Sequence, residues 1–317
     1  MEKEIIKHLF SSRSVGIFIH VNPDWDCFGS AMALRTALRG KGVKCDVFTD
    51  APLSFHLNFM ETDVIEYSED SPAPDYDCYC MIDVNSADRI GGWGKFFQSK
   101  EDTVCIDHHI MQSCPARLSL VDPSRSAAGE LVYELIAASG EKLTKQAAAY
   151  LYCAISSDTG SFRYASVTQR TLEIVIELMK TGIDTARLCS MLYERKTLKQ
   201  LKLQGEAISR LKLYGGGKIG VAGIDRAVME KYDAKKSDTE FLAQLPRILD
   251  GVIISAFFTQ LENGDVRVNL RSDGDYNIEP VARLFGGGGH KKAAGCTIKG
   301  ASFEEAEQMV VTELLKL

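Results

Sequence analysis

Four short runs in the first half of the chain are rich in apolar residues, three of them at most positions: VGIFIH (15–20), DCYCMID (77–83) and TVCID (103–107), with VKCDVFTD (43–50) more mixed. A strand that is apolar on both faces has to be covered on both faces, as happens in parallel sheets flanked by helices. Helical text separates these runs, beginning with GSAMALRTALRG (29–40). From about residue 126 the chain turns helical: SAAGELVYELIAASG, TKQAAAYLYCAIS and TQRTLEIVIELMKTG each carry apolar residues at helical spacing. The alternation predicts an α/β fold built on a doubly wound, mainly parallel sheet.

The second half has a different texture. TARLCSMLYERKTLKQLKLQGEAISRLKL (185–213) reads as a connecting helix, which YGGG (214–217) breaks. KIGVAGID (218–225) reads as a strand, and VIISAFFTQ and DVRVNLRS flank LENG as a hairpin. A helix runs into GGGGH, then come a strand at CTIKG and a closing helix. A length of 317 residues suits two domains. The boundaries predicted are 1–185 for the sheet domain, 186–213 for a helical linker and 214–317 for a smaller α/β domain.

Composition excludes several classes. Hydrophobic residues are 45% and charged residues 25%, so the chain is neither disordered nor collagenous. No apolar run reaches the roughly 20 residues of a membrane helix, and MEKEIIKHLFSSR is not read as a signal peptide. Nine scattered cysteines with no C-x-x-C fit reduced thiols and a cytoplasmic location, and Cys78 and Cys80 read as core packing. A net charge of −6 argues against coating long duplex nucleic acid. It leaves room for a small phosphate substrate, because bound cations invert the local field of clustered aspartates.

Acids and histidines recur where the predicted strands end. In an open parallel sheet these ends border the binding crevice, so the side chains should converge. HVNPDWDCFGS (20–30) holds His20, Asp24 and Asp26 within seven residues. Asp24 and Asp26, alternating in an extended turn, can face two neighbouring ions; an Asx turn with a helix cap is the competing reading. IDHH (106–109) places Asp107 before His108 and His109. Adjacent histidines diverge, so one can ligate an ion while the other faces substrate, and Asp107 can orient an imidazole. Asp158 lies in SSDTGSFRY, where a helix end with a turn reads equally well. The Gly286, Gly287, Gly288, Gly289 run leading to His290 exposes backbone N–H groups to a phosphate, and Arg271 offers a planar fork. Oxygen and imidazole donors without thiolate favour Mn²⁺ over structural zinc.

HVNPDWD, MIDVNSADRIG, IDHH and SSDTGSF, in this order, resemble the four motifs of the DHH phosphoesterases, and NLRS followed by GGGGHKKAAG resembles the DHH-associated C-terminal domain. The resemblance runs over roughly 12–305 and points to the branch that hydrolyses nanoRNA and 3′-phosphoadenosine 5′-phosphate (pAp). It implies two Mn²⁺ ions, with Mg²⁺ or Co²⁺ as substitutes. His20, Asp24 and Asp83 would hold the first ion. Asp26, Asp83, His108 and Asp158 would hold the second, with Asp83 bridging. His109 would face the scissile phosphate while Asp107 orients the histidines, and hydroxide would attack phosphorus in line. Arg271, Gly286–Gly289 and His290 would grip the substrate. The implied partner is a short RNA or nucleotide, with no membrane and no long duplex, and a homodimer is admitted. Hydrolysis of cyclic or linear dinucleotides is the alternative activity, and a non-catalytic nucleotide-binding module is the second alternative. Where members commonly carry Gly and then Ala, this chain has Trp25 and Cys27. Trp25 is read as packing in preference to stacking on a base.

Overall fold

A computed structural model describes residues 1–110, 114–235 and 238–317. The chain divides into two compact units, Met1–Arg195 and Lys196–Leu317.

In the first unit, β1 (Ser14–Ile19), β2 (Lys44–Thr49), β3 (Ile65–Glu66), β4 (Cys78–Ile82), β5 (Thr103–Asp107) and β6 (Leu118–Val121) form one sheet in the order β3-β2-β1-β4-β5-β6. Every pairing is parallel. The helices are α1 (Glu2–Ser11), α2 (Trp25–Gly40), α3 (Gly94–Ser99), α4 (Ala128–Ser139), α5 (Lys145–Asp158), α6 (Gln169–Lys180) and α7 (Thr185–Cys189). The two-residue period of each strand feeds two cores. Ile17, Ile19, Cys80, Ile82 and Ile106 pack with residues of α2, α4 and α5. Phe18, Tyr79, Met81 and Cys105 face the other way, against Phe48, Trp93 and Phe97 of α3. Each such aliphatic or aromatic side chain contributes about 1.5–3 kcal/mol by leaving water. The strand order reverses between β1 and β4, and a doubly wound sheet opens its crevice at that point.

α2 begins earlier than the sequence suggests. The expected start was Gly29; the helix starts at Trp25, because the Asp24 carboxylate accepts from the Cys27 N–H at 3.1 Å and caps it. Asp24 and Asp26 therefore do not alternate in an extended turn. Asp26 lies inside the first helical turn, where an acid also suits the helix dipole. Trp25 is 6% exposed, packs on Phe28 and Phe59, and donates Nε1–H to the His56 carbonyl at 3.1 Å. It is a core residue, as its size and helical φ allow.

Three helices meet at Ala154. A Cβ on Gly29 of α2 would lie 2.6 Å from the Tyr150 carbonyl oxygen and 3.2 Å from the Ala154 Cβ of α5. A Cβ on Gly129 of α4 would lie 3.0 Å from the same Ala154 methyl. Only glycine lets these backbones approach so closely.

The second unit has β7 (Lys212–Tyr214), β8 (Ile219–Ile224), β9 (Ile254–Gln260), β10 (Val266–Ser272), β11 (Gly288–His290) and β12 (Ala293–Ile298), in the order β11-β12-β10-β9-β8-β7. Only β8 and β9 pair in parallel. Its helices are α8 (Leu198–Ser209), α9 (Arg226–Lys231), α10 (Glu279–Leu284) and α11 (Phe303–Leu314). The hairpin expected at LENG joins β9 to β10, with Gly264 at φ 86°.

One expectation is corrected here. The stretch 185–213 is not one connecting helix: α7 passes into a π-helical turn at Ser190–Glu194, and a new helix, α8, starts at Leu198. Thr197 and Gln200 form a reciprocal capping box there, and Leu203 and Ala207 pack on the second unit's Ala222, Ile224 and Phe257. The four-glycine run carries strand structure at its end. Gly288 and Gly289 belong to edge strand β11 and pair with Gly295 and Ala294. Glycine is needed here for proximity: a Cβ on Gly289, at φ 143°, would lie 2.5 Å from the Ala293 oxygen.

All nine cysteines are free. Among the described residues no helix is long and apolar enough to cross a membrane.

Candidate metal centre

The site is assembled from strand ends. His20 follows β1, Asp83 follows β4, and Asp107 closes β5, with His108 and His109 directly after it. Asp26 comes from the first turn of α2 and Asp158 from the last residue of α5.

Asp83 is central. Its backbone is left-handed, at φ 58°, and its N–H donates to the Ile106 carbonyl at 2.8 Å. An aspartate tolerates that region better than most residues, and the twist turns the carboxylate into the crevice. His20 Nε2 lies 3.6 Å from Asp83 Oδ2, while His108 Nε2 and His109 Nδ1 lie 3.5 and 3.4 Å from Oδ1. His108 Nε2 is also 3.5 Å from Asp26 Oδ2 and 3.4 Å from Asp158 Oδ2. Such spacings are long for hydrogen bonds but suit atoms sharing an ion at bonds of about 2.0–2.2 Å.

Donor atoms converge in three groups, each within 4.8 Å: His20, Cys27 and Asp83; Asp83, His108 and His109; Asp26, His108 and Asp158. The residues fit divalent ions. Asp83 Oδ1 is buried with no hydrogen-bond partner, and the buried Asp26 and Asp83 face each other with the half-buried Asp158 beside them. Burial, then the neighbouring Asp24 charge, pushes the Asp83 carboxyl well above its usual range. Burial, then Asp83, Asp158 and Asp24, does the same to Asp26. Burial raises Asp158 as well, against the pull of His108. Burial and mutual repulsion disfavour the charged forms of these groups, and a divalent ion is the counter-charge that would offset both.

The imidazoles are pre-set. The Val21 carbonyl accepts from His20 Nδ1 at 2.9 Å and the Arg125 carbonyl from His108 Nδ1 at 3.2 Å, which leaves both Nε2 atoms for an ion. Asp107 orients only one of the two histidines after it, His109. Burial alone would raise Asp107, but hydrogen bonds from the His109 ring and backbone outweigh it and hold the carboxyl low. His109 is raised in turn, chiefly by its bond to Asp107.

Asp24 departs from the other predicted ligands. It is exposed, caps α2 and stands outside the three groups; Cys27 occupies the place beside His20 and Asp83. The Cys27 thiol donates to the Ile82 carbonyl at 3.2 Å, and burial pushes its pKa well up, which keeps it a thiol.

Several contributors escaped the sequence reading. Asn85 Nδ2 donates to Asp107 Oδ2 at 2.6 Å and to the Ile110 carbonyl at 3.3 Å. The N–H groups of Ala128 and Gly129 donate to the two Asp26 oxygens at 2.7 and 2.9 Å. Asn85 stands two residues beyond Asp83, a spacing that puts it on the same turn; the backbone groups leave no mark in a sequence.

The remaining predicted residues lie in the second unit. Arg271 on β10 and His290 on β11 both pair in register with Ala293 of β12. Directly opposed residues share a sheet face, so the two side chains flank a methyl group, about 10 Å apart across two strand spacings. Asn269 and Gly288 flank Gly295 in the next row on that face. Arg271 Nη1 donates to the Leu270 carbonyl at 2.8 Å.

Known proteins show the same organisation. The family model for the DHH family, N-terminal domain, matches residues 14–155, and that for the DHHA1 domain matches 218–316. The chain is 30% identical over 296 residues to a bifunctional oligoribonuclease and PAP phosphatase NrnA of Thermus thermophilus, covering 93% of this chain and 87% of the relative. It is 29% identical to the protein of that name in Bacillus subtilis, covering 98% and 96%. The crystal structure of an exopolyphosphatase-related protein from Bacteroides fragilis superposes with a TM-score of 0.92 at 26% identity, over 100% of this chain and 97% of that one. With the acid and histidine cluster at the switch point of its sheet, the chain belongs to the DHH family.

Proposed function

We propose that this chain is a phosphoesterase that uses divalent metal ions, preferentially Mn²⁺, to hydrolyse short oligoribonucleotides and pAp. The observation that carries the reading is the fan of Asp26, Asp83 and Asp158 around His108 Nε2, with the Asp83 Oδ1 left unpartnered. Relatives named as oligoribonuclease and PAP phosphatase over nearly the full chain support it. His20, Asp83, Asp26, His108 and Asp158 hold the ions in this reading, with Asp24 joining once its carboxylate turns from the cap. When bound, the ions supply positive charge against the phosphoryl oxygens and lower the pKa of water.

The chain's own groups do the rest. His109 keeps its Nδ1 on Asp107, so its Nε2 is the atom that can donate to a phosphoryl oxygen. Asp107 holds that ring in place and favours its charged form. Arg271 and His290 grip a phosphate and nucleotide above the small residues Ala293 and Gly295. The nine free cysteines support a reducing, cytoplasmic setting.

The test is a rate comparison. Purified protein with Mn²⁺ is offered pAp, a diribonucleotide, a five-mer, and linear and cyclic di-AMP. Fast turnover of pAp and the diribonucleotide, silenced by EDTA, supports the proposal. Preference for cyclic di-AMP would move the activity to cyclic dinucleotides. Binding without turnover of any substrate would leave a nucleotide-binding module.

A further inference from the structure

The turn between β6 and α4 touches two of the proposed ion ligands, and it does so from one short stretch of backbone. The Arg125 carbonyl accepts from His108 Nδ1 at 3.2 Å. The next residues but two, Ala128 and Gly129, donate both their N–H groups to Asp26. α4 has no cap of its own: Ala127 stands at its N-cap position, and the Asp26 carboxylate of α2 takes that role from outside. One backbone turn thus fixes the tautomer of His108 and the orientation of Asp26.

A buried acid pins this turn. Glu130 is 1% exposed. Its Oε1 accepts from the Ser126 hydroxyl and, at 2.6 Å, from the Thr171 hydroxyl of α6. Its Oε2 has no hydrogen-bond partner and lies 3.8 Å from Arg125 Nη1. The Arg125 guanidinium is also held by Glu134 at 2.8 and 2.9 Å and by Asp122 at 3.1 Å. Glu130 therefore reaches both residues that open the turn, Arg125 and Ser126, and ties them to a separate helix. An ordinary helix would place an alanine or leucine at such a position; a buried carboxylate is costly unless its partners matter.

We infer that Glu130 is a positioning residue for the metal centre: through Ser126 and Arg125 it holds the turn that presents Asp26 and orients His108, and so it sets the affinity of the ion those two ligands share. The inference rests on the two-ion reading above. It predicts a selective effect, because His20, the other proposed ligand next to Asp83, gives its ring hydrogen bond to the Val21 carbonyl and not to this turn.

Two variants test it: Glu130→Gln, which keeps the shape, and Ser126→Ala, which removes one hydroxyl and disturbs the fold less. Mn²⁺ titration followed by the electron paramagnetic resonance signal of the free ion should show one of two sites weakened by about 10- to 100-fold, with the other within about twofold. Activity on a diribonucleotide should recover at high Mn²⁺ with KM unchanged. In the metal-free protein, nitrogen-15 spectra of the histidine rings should show His108 leaving its single Nδ1–H tautomer. Unchanged Mn²⁺ sites together with an unchanged His108 tautomer in both variants would overturn the proposal. So would equal weakening of both sites with loss of helical circular dichroism, which would make Glu130 a part of the core only. If the unaltered protein binds fewer than two ions, the two-ion reading fails, and the tautomer measurement still decides the role of Glu130.

Discussion

His109 and Asp107 are joined twice through one oxygen: the His109 ring Nδ1 lies 2.8 Å from Asp107 Oδ1, and the His109 backbone N–H donates to the same atom at 3.1 Å. The other Asp107 oxygen receives the Asn85 amide at 2.6 Å. Three donors thus hold the carboxylate, and Asp107 stands outside the three groups of converging donor atoms, so it is read as serving the histidine and not an ion. Asp107→Asn should therefore leave Mn²⁺ binding within about twofold while kcat falls about 10- to 100-fold. The basic limb of the kcat profile should shift to lower pH, because His109 loses the partner that raises it. Equal loss of Mn²⁺ affinity would place Asp107 among the ligands.

Asp83 should be the residue the ions depend on most. Asp83→Asn keeps the shape and a side chain that tolerates φ 58°, and removes the charge. Two-site Mn²⁺ binding and hydrolysis should both disappear. The metal-free variant should melt higher than the parent, since a buried, unpartnered carboxylate oxygen is relieved, by about 1–3 kcal/mol. Near-parental activity in Asp83→Asn would remove Asp83 from the bridge.

Stability should depend on pH in opposite ways with and without ions. Asp26, Asp83 and Asp158 have folded-state pKa values above their unfolded values. Their protonated forms favour the folded chain, and that stability is lost as pH rises through the folded pKa values. His109, also raised, loses its contribution in the same direction. The metal-free Tm should therefore rise as pH falls towards the ordinary carboxylate range, through the raised folded-state values. The lowered acids, such as Asp107 and Asp225, oppose this only below the ordinary carboxylate range. With saturating Mn²⁺ the trend should flatten or reverse, because ions require the deprotonated ligands. A calorimetric series across pH, with EDTA or Mn²⁺, reads both.

Removing the ions should silence the enzyme without unfolding it. The parallel sheet is covered on both faces by apolar clusters that contain none of the aspartate or histidine ligands. Circular dichroism in EDTA should stay within a few per cent of the parent, and added Mn²⁺ should restore turnover. Collapse of the helical signal on chelation would make the metal structural.

Arg271→Ala should reduce kcat/KM on pAp or a diribonucleotide by roughly 30- to 150-fold, the loss of a bidentate charge-assisted contact. Bis-p-nitrophenyl phosphate, with no second phosphate to grip, should be hardly affected, and Mn²⁺ affinity should not change. Arg271→Lys should recover only part, for want of the planar fork. Equal losses on both substrates would place Arg271 at the reacting phosphate.

The strands were legible because Phe18 and Ile17, or Tyr79 and Cys80, are apolar neighbours that need opposite cores, a demand only a covered sheet meets. The strand ends followed, and with them His20, Asp83 and Asp107. Asp24 was legible only in part, since a carboxylate that caps a helix and a carboxylate beside an ion look alike in a sequence, and the structure shows the cap. The strand at Gly288 and Gly289 was not legible: glycine has no strand preference, and the pairing with Gly295 and Ala294 comes from tertiary contact. The capping box of Thr197 and Gln200 was readable as a helix start, and the helical texture on either side masked it. The Arg125 carbonyl could not be read at all, because every residue has one.

If the proposed ligands hold an ion, the close contact of α2, α4 and α5 at Ala154 bears on which ion they prefer. Gly29 stands three residues from Asp26, Gly129 is itself a donor to Asp26, and Ala154 stands four residues from Asp158. In the proposed reading, the gap that an ion would span between those two carboxylates is thus gauged about one helical turn away from them, by how nearly three backbones can touch. A methyl group at Gly29 would widen that gap while leaving every donor atom in the chain unchanged. Selection for a larger or smaller cation can act on residues that never meet it, and a comparison of ligands alone would not see the difference.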